Sequence, residues 1–306
     1  MHSWLMFVLD SCRADTLWSA IRGREIGMPP SWLHRGADET RDVIDAREWS
    51  ERHSAATWTG PAHYHLLSGL PPMDVSSRGL DTPGSYRRAL LDHVRWLGLP
   101  PEHADTFVPE LWLPSWLARA GYCTMASVSL PVLGRRTRIA TGWHHYAMAE
   151  GHDNVDEHVR EIESIRARPL FAMINIGETH YPYTHKGAHP AHVLGLPVPA
   201  EDDPADDPIL HGLNGVAKRL SQGVGERLPL EFMDPERMRR YHFRQKLAAR
   251  VVLDRIEAVV RSFPPGTRVT ITADHGEAFG EGGWWGHGPV AHPVVHAVPY
   301  IDGVVR

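Results

Sequence analysis

The stretch Val269–Gly288 constrains the fold more than any other part of the chain. It opens with Val269-Thr270-Ile271-Thr272, whose β-branched side chains suit a strand. Where that run gives out stand Asp274 and His275, followed by Gly276, a glycine-rich loop and His287. An apolar strand that passes into polar ligands is how α/β proteins present chemistry at the carboxyl ends of a parallel sheet. A carboxylate oxygen beside a neutral imidazole nitrogen suits Zn²⁺, Mn²⁺ or iron better than Ca²⁺, which prefers an all-oxygen shell. The chain has 21 His, so chance pairs are expected, and this stretch alone leaves metal binding and an incidental loop as alternatives.

Two more apolar runs end in the same way. Trp4-Leu5-Met6-Phe7-Val8-Leu9 reads as a buried parallel strand and runs into Asp10-Ser11-Cys12-Arg13. Pro169–Ile176 is a third strand, followed by Gly177-Glu178-Thr179-His180. Taken singly, Asp10 reads as a helix N-cap and His180 as either a satisfied core histidine or a site residue. Several such strands side by side bring their carboxyl ends together and favour a shared site. Between them lies Thr59-Gly60-Pro61-Ala62-His63. Proline is favoured in the first helical turn, so Thr59 falls at a helix N-terminus, where backbone N–H groups and the dipole favour an anion. Thr59 can serve there as a cap, as a nucleophile, or as both.

The remaining pattern is that of one α/β domain over residues 1–306, with no internal repeat and no clear linker. Short strands are expected at Asp42–Asp45 and Tyr122–Val128. Helices are expected at 85–97, Leu111–Ala120, Val155–Ile165 and Met238–Phe263. Trp143-His144-His145 reads as packing rather than ligation. Residues 186–233, rich in Pro, Asp and Gly, suggest a lid or substrate-shaping insert, with a plain surface loop as the alternative. Its acidic run, Glu201–Pro208, reads as a solvated face.

Composition excludes several classes of function. A formal charge of −5, with 42% hydrophobic and 23% charged residues, describes a soluble globular protein with no general attraction to nucleic acid or to anionic membrane. The apolar run nearest the start is far short of a membrane span, and no basic segment precedes it as in a signal peptide. Two cysteines, Cys12 and Cys123, are too few for a disulfide framework. A cytoplasmic protein without a nucleic-acid or membrane partner is the expectation.

Four blocks, LDSCRAD at Leu9–Asp15, TWTGPAHYHLLSG at Thr57–Gly69, INIGETHYPY at Ile174–Tyr183 and TADHGEAFGEGGWWGHG at Thr272–Gly288, together resemble the sulfatase-like branch of the alkaline phosphatase superfamily. Their order matches that of the family, and they span the chain. The resemblance implies a doubly wound α/β/α sandwich with a mostly parallel central sheet and a reduced C-terminal subdomain. It implies Asp10, Asp274 and His275 as metal ligands, and Thr59 as a nucleophile that also touches the metal. His180 and His287 would face the transferred group or help to hold a second metal, and His63 would support substrate binding.

The departures from the family pattern refine this. Sulfatases carry Cys or Ser in a C/S-x-P-x-R setting that is converted to formylglycine, whereas Thr59 cannot be so converted. They also pair Asp residues at the first strand, where Asp10 is here followed by Ser11. The changes favour phosphorus over sulfur. The expected protein is a metal-dependent phosphoryl-transfer hydrolase with one or two ions, Zn or Mn, acting on a small phosphoester or phosphonate. The alternatives are a transferase to an acceptor alcohol, a sulfatase, and a non-catalytic binding member.

Overall fold

The computed structural model of the chain describes residues 1–33, 43–70, 91–92, 94–101, 111–165, 167–198, 234–288 and 291–306. Strand β1 (Trp4–Leu9) coincides with the first apolar run. Its side chains divide by parity: Leu5, Phe7 and Leu9 enter one apolar cluster, while Met6 and Val8 enter another. Strand β5 (Leu170–Ile176) does the same, with Phe171 and Met173 on the second side and every residue buried. A strand apolar on both faces needs a helix layer on each side.

Both layers are present. On the first face lie α1 (Ala14–Arg22), α4 (Val155–Ser164) and the 27-residue α5 (Pro235–Arg261), which bring Leu17, Ile21, Ile162, Leu253 and Ile256 against the sheet. On the second face, α2 (Thr59–Ser68) and α3 (Leu113–Arg119) supply Leu67, Leu113 and Leu117. Helix α5 starts earlier than its apolar periodicity indicates. The Asp234 carboxylate accepts the N–H groups of Glu236 and Arg237, and Pro235 occupies the first turn.

The remaining strands are β2 (Ile44–His53), β3 (Cys123–Val128), β4 (His145–Met148), β6 (Arg268–Ala273) and β9 (Ala297–Val305), with a small hairpin of β7 (Ala278–Phe279) and β8 (Trp285–Gly286). The main sheet runs β2-β9-β6-β1-β5-β3-β4. From β6 to β4 all pairs are parallel, and β9 is antiparallel to both β6 and β2. This is an alkaline-phosphatase-like α/β fold with a mostly parallel central sheet.

Two elements differ from expectation. The short strand expected at Asp42–Asp45 extends to His53, because its polar sequence pairs with β9 at the sheet edge, where charges are tolerated. Strand β9 itself was not foreseen, since Pro299 and Gly303 interrupt its pattern. Its ladder with β6 ends at Thr272–Tyr300, one residue short of the proline. Trp143 does pack as expected, stacked on Phe171 at 5.6 Å, and His144 Nδ1 accepts the Thr124 N–H. Of the expected insert, residues 186–198 are described and include the short helix Pro190–Val193. Residues 199–233, with the acidic run, lie outside the described residues, as do residues 85–90 of the expected helix at 85–97.

Candidate active site

Register determines what meets at the top of the sheet. Leu9 pairs with Ile176 on one side and with Ala273 on the other. The next residue of each strand is therefore Asp10, Gly177 and Asp274, side by side. The Asp10 N–H continues the ladder to Ile176 O at 2.8 Å. Its carboxylate is fully buried and accepts Asn175 Nδ2–H at 2.9 Å and Ser11 Oγ–H at 3.2 Å. This partnership is not that of a helix N-cap: Arg13 occupies that position for α1.

Asp274 Oδ1 accepts the backbone N–H of Ser11 at 3.1 Å and that of His275 at 2.9 Å. Its Oδ2 is buried and has no hydrogen-bond partner among the described residues. Burial raises the Asp274 carboxyl above the usual range, against the pull of His63. An orphaned carboxylate oxygen of this kind is costly unless a cation or a donor satisfies it.

His275 lies beside it, with Nε2 3.4 Å from Asp274 Oδ2. Its Nδ1 is 2.9 Å from the Gly276 carbonyl, which can only accept, so the ring proton sits on Nδ1 and the Nε2 lone pair faces inward. Burial first, and then His287, pull the His275 pKa down to about 3, which keeps the ring neutral. Atoms of Asp10, Asp274 and His275 that can bind a metal all lie within 4.8 Å of one another. Two carboxylates, one neutral imidazole and an orphaned oxygen fit a divalent cation such as zinc.

Thr59 opens α2. The N-cap is Trp58, which makes no side-chain cap hydrogen bond, so the Thr59 hydroxyl is not spent on capping. Thr59 Oγ1 is 3.3 Å from His275 Nε2 and donates to it, given the tautomer. One turn on, His63 Nδ1–H donates to Thr59 O at 2.8 Å and is 3.7 Å from Asp274 Oδ2. His63 thus buttresses the first turn of α2.

His180 and His287 complete the group, with ring centroids 5.1 Å apart, and His287 is 4.3 Å from His275. His180 donates from Nδ1 to Tyr181 O at 2.8 Å. His287 Nδ1 meets Glu277 Oε1 at 2.8 Å, and the other oxygen of Glu277 accepts the Tyr183 hydroxyl at 3.1 Å. Burial raises Glu277 to about 7 and lowers His287 to about 3. All seven residues named from the sequence converge on this end of the sheet. Sequence reasoning did not single out Asn175, Glu277 and Tyr183, which lie inside the quoted blocks and touch Asp10, His287 and Glu277 respectively. A buried acid two residues after His275 was the available signal for Glu277. Cys12 is buried, and burial raises its thiol pKa, in keeping with a packed residue.

No family model and no curated protein sequence matches the chain. Solved structures do. The C-terminal periplasmic domain of EptC from Escherichia coli aligns at TM-score 0.57 and 10% identity, over 100% of this chain and 73% of its own, and it has also been solved as a zinc complex. The integral membrane lipooligosaccharide phosphoethanolamine transferase EptA from Neisseria meningitidis aligns at TM-score 0.53 and 13% identity, over 100% of this chain and 48% of its own. A phosphonate monoester hydrolase from Silicibacter pomeroyi aligns at TM-score 0.50 and 15% identity, over 99% and 68%. At these identities the likeness shows the fold alone, the alkaline-phosphatase-like α/β fold.

The comparison corrects the expected location. The E. coli domain is periplasmic, which overturns a cytoplasmic assignment drawn from the lack of an apolar span, of a signal-peptide pattern and of a disulfide framework. The expectation of no membrane partner is withdrawn as well, because EptA is an integral membrane protein. Among the described residues no helix is long and apolar enough to cross a membrane.

Proposed function

From an alkaline-phosphatase-like fold whose strand ends gather these residues, we propose that the chain is a metal-dependent phosphoryl-transfer enzyme acting on a small phosphoester or phosphonate, with Thr59 as its nucleophile. The observation that carries this reading is the Thr59 hydroxyl, uncapped at a helix N-terminus and 3.3 Å from His275 Nε2, beside the orphaned oxygen of Asp274. Asp10, Asp274 and His275 would hold a divalent cation, with Thr59 beside that cluster. Such an ion neutralises charge on the phosphoryl oxygens and lowers the pKa of a hydroxyl bound to it.

The chain's own residues do the rest. The α2 N-terminus directs backbone N–H groups at the incoming anion. Thr59 gives its hydroxyl proton to solvent, Oγ1 attacks phosphorus in line, the leaving oxygen departs with the bonding pair and takes up a proton from water, and a phosphothreonine forms. Water then releases the group in hydrolysis. His180 and His287 border the same space, where they would bind the phosphoryl oxygens when protonated or, as neutral imidazoles, help Asp10 to hold a second ion. Glu277, tied to Tyr183, keeps the His287 ring oriented. Transfer to an acceptor alcohol in place of water is the second reading, favoured by the fold likeness to phosphoethanolamine transferases. A periplasmic location accompanies both.

The test is elemental analysis of the purified protein, with turnover of p-nitrophenyl phosphate, its diester analogue and the sulfate ester, with and without an added alcohol. Bound zinc or manganese is expected. Thr59→Ala should lower kcat by at least about a thousandfold while the metal content stays at the wild-type level. A Thr59→Ala protein as active as wild type would sink the covalent route. Turnover of the sulfate ester alone would move the assignment to sulfur.

A further inference from the structure

The imidazoles of the site form a row that extends one member beyond those named above. From His275 the ring centroids step 4.3 Å to His287, 5.1 Å to His180 and 6.3 Å to His152. Thr59 adjoins the His275 end. His152 stands at the other.

In protonation the fourth ring differs from its neighbours. His275 and His180 commit Nδ1–H to the carbonyls of Gly276 and Tyr181, and His287 Nδ1 pairs with Glu277 Oε1. While neutral, neither of the first two can donate from Nε2. His152 makes no hydrogen bond among the described residues, and its Nε2 is buried without a partner. It is free to carry its proton on Nε2.

The backbone fixes where that atom sits. A Cβ at Gly177 would lie 2.0 Å from His152 O, so only glycine, directly after β5, lets the His152 segment approach this closely. The adjacent Asp153 is clamped by the Thr184 hydroxyl and by the Gly187 N–H at 2.8 Å, while its carbonyl accepts the Lys186 N–H at 2.9 Å. A ring mounted on so fixed a segment is preorganised for a ligand. In-line displacement puts the leaving oxygen opposite the nucleophile, and hence toward the end of the row away from Thr59.

We propose that His152 is a substrate-binding residue that donates a hydrogen bond from Nε2 to the leaving-group oxygen of the phosphoester. The inference rests on the phosphoryl-transfer reading above. Burial, opposed by Asp153, holds the ring below its ordinary pKa, so it acts as a neutral donor. Negative charge builds on the leaving oxygen as its bond to phosphorus breaks, and the hydrogen bond strengthens with that charge. Its contribution therefore grows as the leaving group becomes more basic.

The experiment compares zinc-loaded wild type, His152→Ala and His152→Gln on p-nitrophenyl, p-chlorophenyl and unsubstituted phenyl phosphate. Melting temperature and zinc content are measured in parallel. His152→Ala should lose about threefold in kcat/KM on the nitrophenyl ester and about thirtyfold on phenyl phosphate, steepening the dependence on leaving-group basicity. His152→Gln, whose amide N–H can replace the donor, should return the slope most of the way to wild type. If the alanine variant loses zinc or its melting transition, the glutamine variant decides alone, with a near-wild-type slope expected. Loss by one common factor across the series, or no loss, overturns the assignment of His152 and leaves the reading of the site standing. A zinc-loaded wild type that turns over none of the esters overturns that reading, and this assignment with it.

Discussion

At the scale of single residues, burial decides which charges the chain can carry. His158 is 1% exposed and bridges two hydroxyls, Ser127 at 2.6 Å from Nδ1 and Ser129 at 2.8 Å from Nε2. Desolvation lowers its pKa to about 4. The folded ring resists protonation while the unfolded one titrates near 6.5, so below that pH the unfolded state binds more protons. Stability therefore falls as pH drops from about 6.5 to about 4, and this contribution is flat above the window. The loss is roughly 3 kcal/mol. Urea midpoints of wild type and His158→Gln across this range should converge toward acid. Parallel curves would show that His158 does not supply the slope. The same desolvation keeps His275 and His287 neutral, the form in which an imidazole lone pair can ligate.

At the scale of elements, close approach of backbone fixes the loops that carry the site. Gly276 follows the Asp274-His275 pair and donates its N–H to Val295 O at 2.7 Å. A Cβ there would meet Val294 O at 2.2 Å. Gly276→Ala must push the Pro293–His296 turn off the strand end, and we expect a loss of roughly 2–3 kcal/mol with lower metal occupancy. A lower urea midpoint at unchanged slope would establish it, and an unchanged midpoint would show that the turn yields freely. Here the sequence was partly legible. Gly276 stood inside a recognisable block, but its partner, the 293–296 turn, carried no signal of its own. Strand β9 was hidden for a related reason: its pattern is interrupted at Pro299 and Gly303, and only pairing with β2 and β6 makes it a strand.

At the scale of the whole molecule, the proposed cation would join two strand ends, those of β1 and β6, and one helix, so its removal should be felt globally. With zinc about a hundredfold above its Kd, the folded state gains about 2.7 kcal/mol. In a chain of this size that raises Tm by about 5 °C, and chelation should reverse it. A melting temperature indifferent to both zinc and chelator would show that the cluster does not bind the ion. By itself the sequence determined the apolar runs that become β1, β5 and β6, and therefore a sheet covered on both faces. It also determined that Asp10, His180 and the Asp274-His275 pair stand where those runs end. These properties are local: side-chain parity and the point where a strand gives out can be read within one segment. Tertiary structure alone decided that Leu9 lies level with both Ile176 and Ala273, which brings Asp10 beside Asp274. It alone brought Thr59 to His275, His287 to Glu277, and His152 into the row of imidazoles. Those meetings depend on strand register and on chain segments packed across the sheet, which no window of neighbouring residues contains.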